Sequence, residues 1–241
     1  GVRILPVMRI AKNFINLLYP AHCAICKKNL DPSNELHVCS FCIGMIKSNP
    51  KPYCSSCGRS VENSRVVCAE CRKTRFYFAG SRCACLYEGV LKELIHLFKY
   101  NKKPYLEKVL SKLMIDFVKE DKEILDGIDI ITFVPLQNNR LRERGFNQSR
   151  ILALNISREF GIPLADTLEK IKSTKPQNEL ARDERLSNLK DAFRPKAGGD
   201  IKDLDFLLMD DVMTTGATLS ECSKALLSRG AKTVRCLTLA R

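Results

Sequence analysis

Four CxxC pairs constrain this 241-residue chain more than any other feature. Two thiolates separated by two residues lie on one tight turn and fit two corners of a tetrahedron at about 2.3 Å from Zn²⁺. Two such turns complete one closed site. The spacing therefore predicts two structural zinc sites, with the ligands Cys23/Cys26, Cys39/Cys42, Cys54/Cys57 and Cys68/Cys71.

The separations between these pairs favour taking them in chain order, as in zinc ribbons. There are 12 residues between Cys26 and Cys39 and 10 between Cys57 and Cys68. A cross-brace, in which the first pair joins the third and the second joins the fourth, satisfies the same chemistry. A disulfide framework is the other alternative, but the absence of a secretory signal disfavours an oxidising compartment.

Composition changes near residue 80, which predicts three parts. Residues 1–19 have apolar side chains at helical spacing and form an amphipathic helix. Residues 20–80 form the zinc-ribbon domain, in which metal supplies much of the folding free energy. Residues 81–241 form a second domain with its own core. No run approaches 18 apolar residues and no cleavage site follows residue 19, so we expect a cytoplasmic protein without a membrane span.

Strand-like and helical patterns alternate after residue 80. The predicted strands are 81–87, 129–134, 205–209 and 233–239, and the predicted helices are 91–100, 106–117, 146–160 and 218–229. This order is typical of an α/β fold with a mainly parallel sheet, where ligands bind beyond the carboxyl ends of the strands. Four further cysteines have no partner pair and are predicted to be unligated: Cys83, Cys85, Cys222 and Cys236.

The segment 206–222, FLLMDDVMTTGATLSEC, carries the most specific chemical pattern. An apolar strand leads into Asp210 and Asp211, then into a Thr/Gly loop that opens a helix. Backbone N–H groups and hydroxyls of such a loop bind a phosphate dianion. The paired acids can accept hydrogen bonds from ribose hydroxyls. The pattern predicts a ribose 5-phosphate site with the loop residues Thr214, Thr215, Gly216, Ala217 and Thr218; the alternative is an acidic turn before an ordinary capped helix.

The charge distribution suggests an anionic partner. The formal net charge is +13, and residues 1–80 hold 12 Lys/Arg against 4 Asp/Glu. Eight thiolates and two Zn²⁺ reduce the total to +9, which remains basic. Single-stranded DNA is the leading candidate, since Phe76, Tyr77 and Phe78 offer rings for stacking on bases. The alternative is a set of solvated surface lysines.

The segment 206–222 resembles the PRPP-binding motif of type I phosphoribosyltransferases (PRPP, 5-phosphoribosyl 1-pyrophosphate). From about residue 17 to 241 the chain resembles the ComF/ComFC (GntX-like) family of competence-associated proteins. Three more stretches carry this resemblance: LYEGVLKELIHLFKY at 86–100, VPLQNNRLRERGFNQS at 134–149 and KSTKPQNELARDERLSNLKDAF at 172–193. The resemblance implies a double zinc ribbon followed by a type I phosphoribosyltransferase-like parallel sheet flanked by helices.

The resemblance also implies roles for individual residues. Asp210 and Asp211 hold the ribose, while Arg140 and Arg144 clamp pyrophosphate, to which guanidinium groups donate paired hydrogen bonds. Arg142 points elsewhere if its segment is helical. A hood at about 172–195, with Gln177 and Arg185, closes over PRPP, which enters with Mg²⁺. Asn147 and Gln148 either contact substrate or cap the following helix.

Two functions follow from these expectations. The first is Mg²⁺-dependent transfer of phosphoribosyl from PRPP to an unknown acceptor with release of pyrophosphate. The second is a non-catalytic, PRPP-gated protein that handles single-stranded DNA during DNA uptake, together with other uptake proteins. A PRPP sensor without turnover lies between them.

Overall fold

A computed structural model describes residues 21–63, 67–100, 103–172 and 189–241. The predicted helix at 1–19 and the hood residues Gln177 and Arg185 lie outside the described residues. In the described part of the chain, no helix has the length and apolar character needed to cross a bilayer.

The cysteine-rich segment is built as two similar units. Each unit begins with a turn closed by a short antiparallel bridge, His22 with Asn29 and Tyr53 with Ser60. Each ends in one helical turn, α1 (Ser40–Gly44) and α2 (Ala69–Lys73). The first cysteine of the second CxxC pair, Cys39 or Cys68, occupies the N-cap position of each of these helices. This repetition explains why both units enclose a set of four cysteines.

A four-stranded parallel sheet follows, with the strand order β1-β6-β5-β2. The strands are β1 (Gly80–Cys85), β2 (Ile130–Phe133), β5 (Asp205–Val212) and β6 (Thr233–Ala240). The helices are α3 (Gly89–Tyr100), α4 (Glu107–Glu120), α5 (Asn138–Arg144), α6 (Gln148–Phe160) and α7 (Ala217–Ser228). Short 3₁₀ turns at Pro104–Leu106 and Lys122–Leu125 flank α4. The parallel α/β prediction is confirmed.

Helices cover both faces of the sheet, which explains the continuously apolar strands. Leu207 and Met209 of β5 face the cluster that contains α3, α4 and α6. Their neighbours Phe206 and Leu208 face the cluster that contains α7. The four cysteines predicted to be unligated are buried here, in agreement with a core role: Cys83, Cys85, Cys222 and Cys236.

A two-stranded antiparallel hairpin joins β3 (Leu168–Lys170) to β4 (Phe193–Pro195). The hydrogen-bond register pairs Lys170 with Phe193, and the N–H of Ile171 donates to the carbonyl of Ala192. The sequence pattern did not predict these strands, which bring together the two ends of the segment expected to form the hood. Lys172, at its start, donates to the carbonyl of Lys190.

The expectation that the ribbon domain and the sheet have separate cores is wrong. Cys23 and Tyr53 belong to the cluster on the α4 face, whereas Cys54, Cys57 and Cys68 belong to the cluster on the α7 face. Such small units bury too little apolar surface to form a core alone. They therefore share the core of the α/β fold.

Candidate functional site

The eight CxxC cysteines form two groups of four, in chain order and not as a cross-brace. The Sγ atoms of each group lie within 4.8 Å of one another, in the sets Cys23, Cys26, Cys39, Cys42 and Cys54, Cys57, Cys68, Cys71. A tetrahedral zinc site with bonds of about 2.3 Å places its sulfurs about 3.8 Å apart. The Cys57 and Cys68 sulfurs are 3.8 Å apart, and those of Cys26 and Cys39 are 3.6 Å apart.

Backbone N–H groups support the thiolate form of the first cysteine in each group. The N–H of Cys39 points at the sulfur of Cys23 (3.4 Å), and the N–H of Cys68 points at the sulfur of Cys54 (3.3 Å). Burial alone would raise the pKa of the Cys23 thiol. Hydrogen bonds from the N–H groups of Cys39, Cys26 and Ile25 outweigh this effect and lower the pKa to about 6. Both groups therefore have the ligand type, spacing and supporting contacts of a structural zinc site.

A cavity of about 460 Å³ lies at the carboxyl ends of β2 and β5. Asp210, Asp211, Thr214 and Thr218 line one side of it. Arg140 and Arg144 line another. All six were predicted as site residues from distant parts of the sequence, and the parallel sheet brings them together.

The two acids differ in their environments. The Asp210 Oδ1 atom accepts from Ser149 Oγ (2.7 Å) and from the N–H of Asp211 (2.9 Å). Asp211 Oδ2 lies 2.8 Å from Nζ of Lys99. Burial, and next the charge of Asp211, raise the pKa of Asp210 to about 7, although Ser149 and Lys99 act in the other direction.

The loop after β5 forms a tight turn at the start of α7. Gly216 has a φ of 82° and occupies the N-cap position. Thr215 Oγ1 accepts from the N–H of Ala217 (3.3 Å). Thr214 and Thr218 border the cavity, whereas Thr215, Gly216 and Ala217 do not line it with their side chains. The first N–H groups of α7 have no acceptor within the helix and carry its positive end, which suits an anion.

Arg140 and Arg144 are one helical turn apart on α5, so they share one side of the helix. Arg142 is exposed and does not line the cavity, as expected for a helical segment. The guanidinium of Arg144 lies 4.9 Å from the Tyr100 ring centroid and donates to Gln148 Oε1 (3.1 Å). These contacts hold Arg144 at the cavity without a ligand.

The structure shows the capping role for Asn147 and places Gln148 at the cavity. Asn147 caps α6, because its Oδ1 accepts from the N–H of Arg150 (3.1 Å), and its Nδ2 donates to the carbonyl of Val134. Gln148 lines the cavity and is 1% exposed. Its Nε2 has no hydrogen-bond partner among the described residues. Since Arg144 can only donate, it fixes which end of the Gln148 amide is the oxygen.

Sequence reasoning missed Lys99 and Lys170, which also line the cavity. Burial, and next the nearby Arg140, lower the pKa of Lys170 to about 8. Lys99 gave no clear signal, because Lys92 and His96 lie on the same side of α3 and are exposed. Lys170 had none, since its strand was not predicted.

The proposed stacking surface at residues 76–78 is wrong as predicted. Tyr77 is exposed, but Phe78 is buried and Phe76 stacks on it with a centroid distance of 4.7 Å. The Phe76 ring packs instead against Gly216.

The site geometry can be set beside comparisons with known proteins. A phosphoribosyl transferase domain model matches residues 147–241, and a double zinc ribbon domain model matches residues 14–72. Competence protein F of Haemophilus influenzae is 32% identical over 95% of this chain and 99% of its own length. DNA utilization protein YhgH of Salmonella typhimurium is 28% identical over 93% and 99%. A hypoxanthine phosphoribosyltransferase structure from Staphylococcus aureus is 13% identical, with a TM-score of 0.35 over 55% of this chain and 62% of that one.

Proposed function

Because the chain belongs to the ComF family, with a double zinc ribbon and a phosphoribosyl transferase domain, we propose that it binds PRPP and transfers phosphoribosyl to an acceptor. The observation that supports this most is the convergence of an acid pair, a helix N-terminus and two arginines on one cavity. The three groups match the ribose, the 5-phosphate and the pyrophosphate of PRPP.

Each part of PRPP has a matching set of contacts in this proposal. The 5-phosphate lies at the loop 214–218, where the N–H groups at the start of α7 and the threonine hydroxyls donate to its oxygens. Asp210 and Asp211 accept hydrogen bonds from the two ribose hydroxyls. Arg140, Arg144 and the free amide hydrogens of Gln148 donate to pyrophosphate.

In the reaction, the bond between the anomeric carbon and a pyrophosphate oxygen breaks, and pyrophosphate leaves with the bonding electrons. An acceptor nucleophile, of which nitrogen is the expected type, forms a new bond to the same carbon and loses a proton if it carries one. Arg140 and Arg144 stabilise the charge that develops on the leaving group. Mg²⁺, an oxygen-binding cation, would enter with PRPP and would neutralise part of that charge. We infer that the two zinc ions are structural, since each site has four cysteine ligands and no open position.

The test is calorimetry with PRPP and Mg²⁺, followed by an assay for pyrophosphate release with candidate acceptors. Asp210→Asn keeps the oxygen that accepts from Ser149 and from the Asp211 N–H, so the fold should survive. We expect PRPP affinity to fall about 10- to 100-fold, the value of one charge-assisted hydrogen bond.

Asp116→Asn is the matched control, because Asp116 makes a surface ion pair with Lys112 on α4. It should bind PRPP like the wild type. Absence of PRPP binding by the wild type refutes the proposal. PRPP binding without pyrophosphate release favours the sensor function.

The second candidate is a PRPP-gated protein that handles single-stranded DNA in DNA uptake. The names of the relatives, competence protein F and DNA utilization protein, support this setting. The first ribbon unit exposes Phe41, at 69% of its surface, with Lys28 Nζ 5.9 Å from the ring centroid. A ring beside a cation is suited to an unpaired base beside a phosphate. Fluorescent-oligonucleotide binding by the wild type and by Phe41→Ala, each with and without PRPP, tests this function.

A further inference from the structure

Lys99 contributes a buried cation to the cavity from α3, whereas the two acids are on β5. It is the penultimate residue of α3, and its Nζ lies 2.8 Å from Asp211 Oδ2. The side chains are 18% and 11% exposed, respectively. Exposed ion pairs contribute little, but removing one partner of a buried pair leaves an uncompensated charge at high cost. The placement of Lys99 therefore bears directly on the ionisation of the acid pair.

The acid pair is crowded by other ionisable groups. Asp211 is adjacent on β5, and its charge opposes ionisation of Asp210. The remaining groups come from every element packed around the pair. They are Lys99 on α3, Arg140 and Arg144 on α5, Lys170 on β3, Cys222 on α7, Cys236 on β6, and His96, Tyr87 and Tyr100 at the cavity wall.

We propose that Lys99 is a positioning residue for ribose recognition: it compensates the charge of Asp211 and so allows the neighbouring Asp210 to ionise and accept a ribose hydroxyl. This role rests on the proposed function, in which the two acids hold the ribose. Lys99 acts through Asp211, which it contacts at Oδ2 and which also lines the cavity. A lysine that contacted phosphate directly would have no need of this ion pair.

The direction of the pKa shifts agrees with this role. Burial lowers the pKa of Lys99, but the charge and hydrogen bond of Asp211 outweigh that effect. The pKa of Lys99 is therefore raised, and the lysine stays charged. The charge of Lys99 in turn lowers the pKa of Asp210, which burial and Asp211 together raise to about 7. Replacing Lys99 by a neutral residue must raise the pKa of Asp210 further. The variant then needs a higher pH to present both carboxylates.

The first experiment measures PRPP affinity by calorimetry from about pH 6 to about pH 9 for the wild type, Lys99→Met and Lys99→Arg. An opposite charge shifts a neighbouring carboxyl by about 1–3 units, and each unit is tenfold in the ionised fraction. We expect Lys99→Met to lose about 10- to 100-fold in affinity near neutral pH and to recover as the pH rises. Lys99→Arg keeps the charge and should retain the wild-type profile.

The matched control is Lys92→Met, an exposed lysine on the same helix, which should leave both affinity and pH profile unchanged. A loss by Lys99→Met that is equal at every pH indicates a direct contact with the ligand and overturns the proposal. Failure of Lys99→Arg to restore the profile overturns it as well.

A second measurement does not depend on PRPP. Carboxyl ¹³C NMR of aspartate-labelled protein follows the titration of Asp210 in the wild type and in Lys99→Met, without ligand. We expect the midpoint to move to higher pH in the variant, and an unmoved midpoint refutes the role of Lys99. If the wild type fails to bind PRPP but the midpoint moves, the proposed function fails and the role of Lys99 in the acid pair stands.

If Lys99→Met does not fold, the pair can be removed together. Lys99→Met combined with Asp211→Asn removes the charge on Asp211 that Lys99→Met alone leaves unpaired, so it should fold more stably than Lys99→Met alone. Chemical denaturation of the two variants measures this difference. A double variant that is no more stable than Lys99→Met contradicts the charge compensation.

Discussion

Gly216 lies in the loop 214–218 and contacts Phe76 at the end of the ribbon domain, so a single methyl group there tests how closely the loop and the domain pack. A Cβ at Gly216 would lie 2.8 Å from Met213 Cε and 2.9 Å from Phe76 Cε1. The methionine end can rotate away. The Phe76 ring is stacked on the buried Phe78 with an interplanar angle of 12°, so it cannot move independently. We therefore expect Gly216→Ala to displace the loop or to lose stability.

The magnitude follows from two contributions. A residue other than glycine in the left-handed region costs about 1–2 kcal/mol, and Gly216 has a φ of 82°. An extra methyl group in a packed site costs about 1–3 kcal/mol more. We expect the unfolding free energy in urea to fall by about 2–5 kcal/mol. If the loop 214–218 moves to avoid the clash, the loss of stability should be smaller and PRPP binding in calorimetry should be weaker.

Gly161→Ala is the control, because Gly161 has a φ of 70° but nothing within 4 Å of the added atom. It should show the backbone cost alone, about 1–2 kcal/mol. The double variant Gly216→Ala/Phe76→Ala should lose less unfolding free energy than the sum of the two single variants, since the space left by the Phe76 ring accepts the methyl group. The packing argument fails if Gly216→Ala loses no more stability than Gly161→Ala and binds PRPP normally.

Three further predictions follow from the two sites. Elemental analysis should give two Zn²⁺ per chain, and chelation should weaken PRPP binding, because Cys54 and Ala217 share one buried cluster; unchanged affinity after chelation would contradict this coupling. Arg140→Ala and Arg144→Ala should each reduce PRPP affinity by about 10- to 100-fold and ribose 5-phosphate affinity much less, by calorimetry with both ligands, whereas equal losses would remove the pyrophosphate assignment. Oligonucleotide binding should follow a log–log salt slope near −3, for about four phosphates on a single strand, and binding that is insensitive to salt would argue against an electrostatic DNA surface.

The parts of the fold predicted best from sequence are those determined by local pattern. The helix predicted at 218–229 is observed as Ala217–Ser228, within one residue at each end. The strand predicted at 205–209 continues to Val212, because it pairs with β6 as far as Ala240. That pairing joins residues far apart in the chain. Two acidic residues, Asp210 and Asp211, look locally like the end of a strand, so the extension to Val212 was not predicted.

The acid pair and the loop after it were predicted because they are neighbours in sequence, and the two arginines were predicted from the family resemblance, but two lysines that the fold brings to the same cavity were missed. Asp210 and Thr214 belong to one strand and its following loop, so one motif contains both. Lys99 and Lys170 reach the same cavity from α3 and β3. The β3–β4 hairpin is held by contacts between residues more than 20 positions apart, such as Lys170 with Phe193. Local propensity says nothing about such contacts, since they depend on tertiary packing.

The composition changes near residue 80 because the cysteine ligands end there. The hydrophobic core does not end there, since both buried clusters contain residues from either side of residue 80. The N–H of Tyr77 donates to Ser220 on α7 (3.1 Å), and Ser81 Oγ lies 3.6 Å from the sulfur of Met213. Together with the contact of Phe76 with Gly216, they place the end of the ribbon domain against the loop 214–218. A cysteine-rich unit without a core of its own must be packed against a neighbour, and here the neighbour includes the loop expected to bind phosphate. Metal at the second cysteine group and phosphate at the loop therefore stabilise adjacent parts of one cluster, so each should increase the affinity for the other.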